Sequence, residues 1–301
     1  MKAKAKAKNK KILVVGASLL TLTAGIFIVS KAMAKKQASA GSANAASIPE
    51  AVEGLEQAKP KRSATPPGTG GEIRSDMSIG ELIQETMRGA GDSRLLVIGD
   101  SQVKRTLANA ITADWGTRLG AAVTAWNKEG TTPAKLLELM GSGSSEGTEL
   151  KALLKQQFPV IFIQLGDNGI NGSAEVRSFL AKIAKGYSNS ASKPLVIWSG
   201  PFPICLPNGQ GTSYVKAPPC TGWKCLPNYQ EMKRVDIPNK IRAGIASSEI
   251  PSTLFISPYD APAFEGYESL PCFTIDGIHI TDTMAQGYIG SLFDMRVGNA
   301  V

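Results

Sequence analysis

From residue 72 onwards, short apolar runs alternate along the chain with longer segments of mixed polarity. The runs are four to six residues long and rich in Val, Ile, Leu and Trp, which is typical of strands buried on both faces of a sheet. The predicted strands are 95–98, 121–126, 160–165, 195–198 and 253–257. The mixed segments predict helices at 76–88, 102–113, 133–140, 148–157, 174–187 and 282–296, and one more that ends near 247. This alternation predicts an α/β fold with a five-stranded parallel sheet covered on both faces.

Local signals suggest where some of these helices begin and end. We expect Asp76 to cap the first helix and Gly89 to stop it. Pro238 is expected to break the helix that ends near 247. In parallel sheets, ligands bind beyond the carboxyl ends of the strands, so candidate chemistry is expected in the segments that follow them.

The first 36 residues differ in composition from the rest of the chain. They hold nine of the 33 basic residues and no acidic residue, which leaves 24 basic against 25 acidic residues in the remainder. The formal net charge of +8 therefore belongs to the tail, and the neutral body argues against nucleic-acid binding. Within the tail, 12–30 is a run of 19 residues without a charge, long enough for a helix to span a bilayer.

Segment 12–30 predicts a single-pass membrane anchor. Six Lys precede it and three follow it, which favours a cytoplasmic N-terminus and an extracytoplasmic body. A cleaved signal peptide is the alternative, because 32–34 (Ala-Met-Ala) resembles a cleavage site, and the body would then be secreted. A virion or organelle membrane is a third option. Residues 37–71, rich in Ala, Ser, Gly and Pro, predict a flexible linker to a domain at 72–301.

The cysteines all lie in the C-terminal half of the chain. They are Cys205, Cys220, Cys225 and Cys272. In an exported chain an even number predicts one or two disulfides, with three possible pairings, and free buried thiols are the alternative. We expect Cys272 to be linked to the Pro- and Gly-rich loop at 200–228, which holds the other three. Their spacing and the lack of a nearby histidine argue against a metal site.

The chain contains a single histidine, His279, and Asp276 lies three residues before it. Acid–base chemistry by imidazole near neutral pH can therefore come only from His279. The alternative is a surface or capping histidine without a chemical role. A nearby aspartate and a suitable serine elsewhere in the chain favour the chemical interpretation.

Two serines end a Gly-Asp-Ser tripeptide, and their positions relative to the first strand distinguish them. Ser93 precedes that strand, whereas Ser101 follows it at the start of a helix, where the dipole and the backbone N–H favour a developing oxyanion. Gly130 and Asn168 follow the second and third strands at the same edge. A glycine allows close approach of the backbone and an Asn amide donates without titrating, although each could be an ordinary turn residue.

These segments together resemble the SGNH (GDSL-type) hydrolase family, named for a Ser, a Gly, an Asn and a His in four sequence blocks. Gly99-Asp100-Ser101 is similar to the first block, Gly130 to the second, Gly166-Asp167-Asn168 to the third and 276–279 (Asp-Gly-Ile-His) to the fourth. The resemblance covers about 92–297. It implies a flavodoxin-like three-layer α/β/α sandwich and a serine ester hydrolase without a cofactor.

The resemblance also implies a role for each of these residues. His279 would be the general base for Ser101, and Asp276 would orient the imidazole and stabilise its cation. The N–H groups of Ser101 and Gly130 and the side-chain amide of Asn168 would form the oxyanion hole.

Two positions depart from the family pattern. Gly169 stands where the family often has Asp after the block-three Asn. The residues after the serine are Gln-Val-Lys, at 102–104, instead of the family's common Leu or a nearby Gly. Neither position carries the chemistry, so the departures concern the subfamily more than the activity.

Three further residues are weaker candidates for substrate binding. Trp223 and Tyr214 lie in the 200–228 loop and could stack on a sugar or an acyl group, although a disulfide-linked surface loop is the alternative. Asp167 could be a carboxylate in the pocket or a solvated loop acid.

The chain is accordingly predicted to be an extracytoplasmic serine esterase, tethered through 12–30. An O-acetyl ester on peptidoglycan or another envelope polysaccharide suits this topology best. An O-acetyltransferase or a lipid esterase could use the same triad. A non-catalytic structural or binding protein of an envelope or virion is the remaining alternative, since a fold does not establish a function.

Overall fold

The computed structural model describes residues 74–190, 193–203, 231–266, 274 and 278–299. Within these ranges the sheet has five strands: β1 Arg94–Gly99, β2 Ala122–Asn127, β3 Val160–Gln164, β4 Leu195–Ser199 and β5 Thr253–Ile256. Each pair of neighbours is parallel, in the order β2-β1-β3-β4-β5. The prediction of a five-stranded parallel sheet is therefore confirmed, with strand ends shifted by at most one residue.

Seven long helices accompany these strands in the described ranges. They are α1 Ile79–Ala90; α2, which joins Val103–Leu107, Ala108–Ile111, Thr112–Gly116 and Thr117–Leu119; α3 Pro133–Ser142; α4 Ser145–Leu154; α5 Ser173–Gly186; α6, which joins Met232–Asp236 and Ile237–Ala246; and α7 Asp282–Asp294. Short 3₁₀ turns follow at Pro258–Asp260, Pro262–Phe264 and Val297–Asn299.

The boundaries of α1 differ from the prediction. Ser78, not Asp76, caps the helix, because its side chain accepts a hydrogen bond from the N–H of Glu81 while the Glu81 carboxylate accepts one from the N–H of Ser78. The helix ends at Gly91, which takes the left-handed conformation with φ 62°, two residues beyond the predicted stop at Gly89.

Two helices contain π-helical turns that sequence patterns did not predict. The helix α2 runs without a break to Gly120, beyond the predicted end at 113, and includes two such turns. The predicted break at Pro238 is wrong, because α6 continues through it. The turn just before this proline, Met232–Asp236, is π-helical.

The sheet separates two apolar clusters, which gives the three-layer α/β/α arrangement. Along β1, Leu95 and Val97 face one cluster, and Leu96 and Ile98 face the other. Buried side chains of α1, α2 and α7 fill the first cluster, and those of α3, α4, α5 and α6 fill the second. Both faces are thus covered, as the continuous apolar runs of the strands predict.

Strand order places a topological switch point between the ends of β1 and β3. Gly99 is in register with Asn127 of β2 and with Gln164 of β3. From β1 the chain enters α2 on one face of the sheet, and from β3 it reaches α5 on the opposite face. The two connections diverge, and such a switch point is where open α/β sheets bind ligands.

The predicted anchor at 12–30 and linker at 37–71 lie outside the described residues, and both stay predictions. In the part of the chain that is described, no helix combines the length and the hydropathy needed to cross a bilayer.

Candidate active site

Ser101 lies at a sharp turn from β1 into α2, and Gly99 makes this turn possible. A Cβ atom at position 99 would lie 2.3 Å from Cγ2 of Val103 and 2.8 Å from the carbonyl oxygen of Gln164. Only glycine fits between the first turn of the helix and the neighbouring strand. The turn places a partly exposed Ser101 at the switch point, at the amino end of a long helix.

His279 contacts this serine directly. Its Nε2 atom lies 2.8 Å from Oγ of Ser101, although the two residues are 178 positions apart. The His279 side chain is largely buried. An antiparallel bridge pairs Ile280, the residue after the histidine, with Thr274. This distance suits transfer of the serine proton to the imidazole. Asp276 lies outside the described residues, so its predicted role stays a prediction.

Asp100 is buried next to the serine and connects two neighbouring groups. One carboxylate oxygen, Oδ1, accepts a hydrogen bond of 2.9 Å from the N–H of Gln102, and the other, Oδ2, accepts one of 2.9 Å from Nδ2 of Asn168. Burial raises the pKa of the Asp100 carboxyl well above its usual range, and the charge of Asp167 raises it further. Hydrogen bonds from Gln102 and Asn168 and the charge of Lys233 oppose this rise. Asp100 thus supports the turn through Gln102 and orients the Asn168 amide.

The Asn168 amide has one hydrogen that is only weakly engaged. Besides Asp100, Nδ2 contacts the carbonyl oxygen of Thr131 at 3.4 Å, which is long for a hydrogen bond. A stronger acceptor, such as an oxyanion, could replace this contact. Gly130 precedes Thr131 with φ +69°, and no atom lies within 4 Å of the position that a Cβ would take there. The Asn168 amide thus contacts both the neighbour of Ser101 and the neighbour of Gly130. The oxyanion-donor roles of Asn168 and Gly130 stay predictions.

Asp167 is bound by protein groups and is almost fully shielded from solvent. Its side chain is 3% exposed and pairs with the ammonium group of Lys233, which is fully buried. Nε2 of Gln164 donates to Oδ2 at 2.6 Å, and the N–H of Phe202 donates to Oδ1 at 3.2 Å. A solvated loop acid does not fit this environment. The role of Asp167 as a pocket carboxylate stays a prediction. The carboxylate ties the loop that carries Asn168 to the start of the segment after β4.

Ser93, the serine that the sequence did not favour, lies away from this centre. Ser93 precedes β1 at the opposite edge of the sheet, about 20 Å away along a six-residue strand. Trp223, Tyr214 and the four cysteines all lie outside the described residues, so the stacking and disulfide predictions remain untested. In the described ranges, no group of three His, Cys, Asp or Glu side chains is placed to hold a metal ion.

Two buried polar residues near the site had no role assigned from the sequence. Gln102 is fully buried and contacts the His279 segment, and Lys233 is fully buried in α6. A weak signal existed for Gln102, because it precedes a helix face that is otherwise mostly apolar, with Val103 and Leu107 buried. For Lys233 the sequence contains no such signal, since lysine on a helix is normally solvated.

Comparisons with known proteins return structures but no sequence family. No protein-family model matches the chain. Its sequence matches none of the curated proteins.

The structural neighbours include SGNH and GDSL-like hydrolases, all at low identity. A protein of the DUF4886 family from Bacteroides uniformis is 13% identical, with a TM-score of 0.46, over 68% of this chain and 84% of that one. A member of the lipolytic protein G-D-S-L family from Veillonella parvula is 13% identical, with a TM-score of 0.41, over 66% and 94%. The periplasmic domain of a lipopolysaccharide acetyltransferase from Salmonella ser. Paratyphi A is 16% identical, with a TM-score of 0.42, over 71% and 87%. The function of this chain must therefore be argued from the contact of Ser101 with His279 and from that of Asn168 with Asp100.

Proposed function

We propose that the protein is a serine ester hydrolase whose nucleophile is Ser101. The observation that carries this proposal is the 2.8 Å contact between Oγ of Ser101 and Nε2 of the single histidine, His279. It occurs at the switch point of a parallel sheet, and the Asn168 amide is hydrogen-bonded to Asp100, the residue before the nucleophile. A nucleophile, a base and an oxyanion donor at one point are what acyl transfer needs.

In the proposed reaction, Oγ of Ser101 attacks the carbonyl carbon of the ester while Nε2 of His279 takes the serine proton. The tetrahedral intermediate collapses, and the imidazolium returns the proton to the departing alcohol, which leaves an acyl group on Ser101. Water then attacks the acyl group with His279 again as base, and the acid and free serine are released.

Negative charge on the tetrahedral intermediate would be stabilised by three donors. These are the N–H groups of Ser101 and Gly130 and the side-chain amide of Asn168. Asp276, three residues before His279, would accept the Nδ1 proton and hold the imidazole in the tautomer that leaves Nε2 free to accept. Losing one oxyanion donor typically costs about 3–4 kcal/mol of transition-state stabilisation.

We further propose that the substrate is an O-acetyl ester on peptidoglycan or another envelope polysaccharide, outside the cytoplasmic membrane. The support is the sequence at 1–71, where a Lys-flanked apolar segment precedes a polar linker. Such a tether would hold the site near the envelope, whether the segment is retained as an anchor or cleaved as a signal peptide.

The test is hydrolysis of p-nitrophenyl acetate by wild type, Ser101→Ala and His279→Ala, with Ser93→Ala as the matched control. We expect the first two variants to lose activity and the third to keep it. A fluorophosphonate should label the wild type and Ser93→Ala on Ser101, and should not label Ser101→Ala. Equal turnover by Ser101→Ala and wild type would refute the assignment of the nucleophile.

Labelling without net hydrolysis would point to the acetyltransferase alternative, because the acyl-enzyme would form and wait for a sugar hydroxyl. Acetate release from acetylated peptidoglycan, compared with release of fatty acid from a phospholipid, separates the polysaccharide substrate from the lipid substrate. A folded wild type that shows neither labelling nor hydrolysis would favour the non-catalytic alternative.

A further inference from the structure

Gln102 connects the nucleophile to the segment that carries the base. It follows Ser101 directly, and its side chain is fully buried. Its Nε2 donates a hydrogen bond of 2.8 Å to the carbonyl oxygen of Ile278, and its Oε1 accepts one of 3.2 Å from the N–H of Ile280. These two residues stand immediately before and after His279.

The chemistry of this contact is that of a peptide group. A side-chain amide has an N–H side that donates and an oxygen side that accepts. It can therefore bond to a C=O and an N–H of the same backbone segment, as a neighbouring β-strand does. Only one orientation of the Gln102 amide satisfies both Ile278 and Ile280. In the reversed orientation its oxygen would face the carbonyl oxygen of Ile278, and its NH₂ group would face the N–H of Ile280. The segment is therefore fixed in register as well as in distance.

The backbone of Gln102 is fixed at its other side. Its N–H donates to Oδ1 of Asp100, whose second oxygen orients Asn168. One residue thus connects the helix start at Ser101, the segment of His279 and the support of the oxyanion donor.

We propose that Gln102 is the positioning residue that holds His279 on Ser101, a role that rests on the proposed esterase function. It touches no reacting atom and acts through the two peptide groups that flank the histidine. Without the amide, the C=O of the partly buried Ile278 and the N–H of the buried Ile280 lose these bonds, and the remaining contacts hold the imidazole less firmly at hydrogen-bond distance from Oγ. A displacement of about 1 Å at a reacting group can lower turnover by about a hundredfold.

The test uses the full-length chain, purified in mild detergent with an affinity tag that contains no histidine. His279 is then the only histidine, so ¹⁵N-histidine labelling gives the signals of one imidazole. The variants are Gln102→Met, which keeps the size and removes both hydrogen bonds, and Gln102→Glu, which keeps the acceptor and removes the amide donor. Thr112→Val is the matched control, because it removes a side-chain hydrogen bond to Ala108 on the same helix, away from the histidine.

We expect both Gln102 variants to lower kcat for p-nitrophenyl acetate by about 10- to 100-fold with KM changed by less than about twofold. We also expect both to shift or broaden the imidazole signals, while Thr112→Val matches wild type in both measurements. Circular dichroism shows whether each variant folds. If Gln102→Met does not fold, the kcat and the imidazole signals of Gln102→Glu test the positioning role.

The two proposals can fail separately. Folded Gln102 variants with the kcat and the imidazole signals of wild type would overturn the positioning role, whatever Ser101→Ala does. If wild type shows no hydrolysis, the esterase proposal fails, and the imidazole signals still decide whether Gln102 holds the histidine. Unchanged signals would overturn that role, and altered signals would support it.

Discussion

The buried pair of Lys233 and Asp167 allows a quantitative prediction about stability. The Lys233 side chain is 0% exposed and that of Asp167 is 3% exposed, so neither charge is stabilised by bulk water. Lys233→Met keeps most of the side-chain volume and removes the ammonium group, which leaves a buried carboxylate without this partner. Breaking a buried ion pair in this way typically costs about 3–5 kcal/mol.

The environment of Asp167 places the expected cost at the lower end of that range. The carboxylate keeps its hydrogen bonds from Nε2 of Gln164, at 2.6 Å, and from the N–H of Phe202, at 3.2 Å. Hydrogen bonds to a charged group contribute about 1.5–3 kcal/mol each. These two bonds therefore continue to offset part of the cost of burying the carboxylate. We therefore expect Lys233→Met to lower the free energy of unfolding by about 3 kcal/mol.

A double variant separates the uncompensated charge from lost packing. Lys233→Met combined with Asp167→Asn removes both charges, and the new amide can donate to Oε1 of Gln164, which has no hydrogen-bond partner among the described residues. We expect this variant to lose only about 1 kcal/mol. Lys135→Met is the matched control, because Lys135 is exposed and pairs with Glu138 at the surface, where removal costs less than about 1 kcal/mol.

The assay is urea unfolding of the full-length protein at pH 7, followed by tryptophan fluorescence and fitted by linear extrapolation. Trp115, Trp126 and Trp198 are all buried and should report the loss of the core. Lys233→Met within about 1 kcal/mol of wild type would refute the reasoning, because the pair would then not be desolvated. A double variant as unstable as Lys233→Met would show that packing, not charge, causes the loss.

Three further predictions concern the turn, the oxyanion donor and the buried acid. Gly99→Ala should destabilise the protein by about 1–3 kcal/mol, since its Cβ would lie 2.3 Å from Val103, and urea unfolding showing wild-type stability would contradict this. Asn168→Ala should lower kcat for p-nitrophenyl acetate by about 10²–10³-fold with little change in KM, and an unchanged kcat would exclude Asn168 as an oxyanion donor. The raised pKa of Asp100 means that the folded state binds more protons than the unfolded state above pH ~4, so the free energy of unfolding should fall as the pH rises from there. In Asp100→Asn this fall of the unfolding free energy with rising pH should be absent. If urea titrations give the variant the same pH dependence of the unfolding free energy as wild type, the raised pKa of Asp100 is contradicted.

The strands and the candidate nucleophile were predictable because their signals are local. A run such as 160–165 is apolar at every position but one, and that pattern belongs to a strand covered on both faces. The choice of Ser101 over Ser93 needed only the position of each serine relative to β1. The helix ends were less predictable, because the capping partner of Ser78 depends on side-chain geometry and the π-helical turn before Pro238 leaves no pattern in the residue types.

The environment of polar side chains was the least predictable feature. Asp167 stands in a Gly-rich turn that normally faces solvent, yet it is buried because Lys233, 66 residues later, reaches it from α6. The sequence marks Gln102 as a departure from the SGNH pattern and as a polar residue before a mostly apolar helix face, and neither signal indicates what it contacts. The positioning role proposed for it rests on two contacts with peptide groups 176 and 178 residues away.

The sequence by itself determined the class of the fold, the edge of the sheet where chemistry is expected and the residue types that suit it, because hydrophobic periodicity and turn residues act over a few positions. The tertiary structure alone decided that β1 lies between β2 and β3, that His279 meets Ser101, and that Gln102 and Asp100 hold the histidine segment and Asn168. These contacts join residues far apart in the chain. Their distances depend on how the helices pack against both faces of the sheet, and no local pattern encodes that packing.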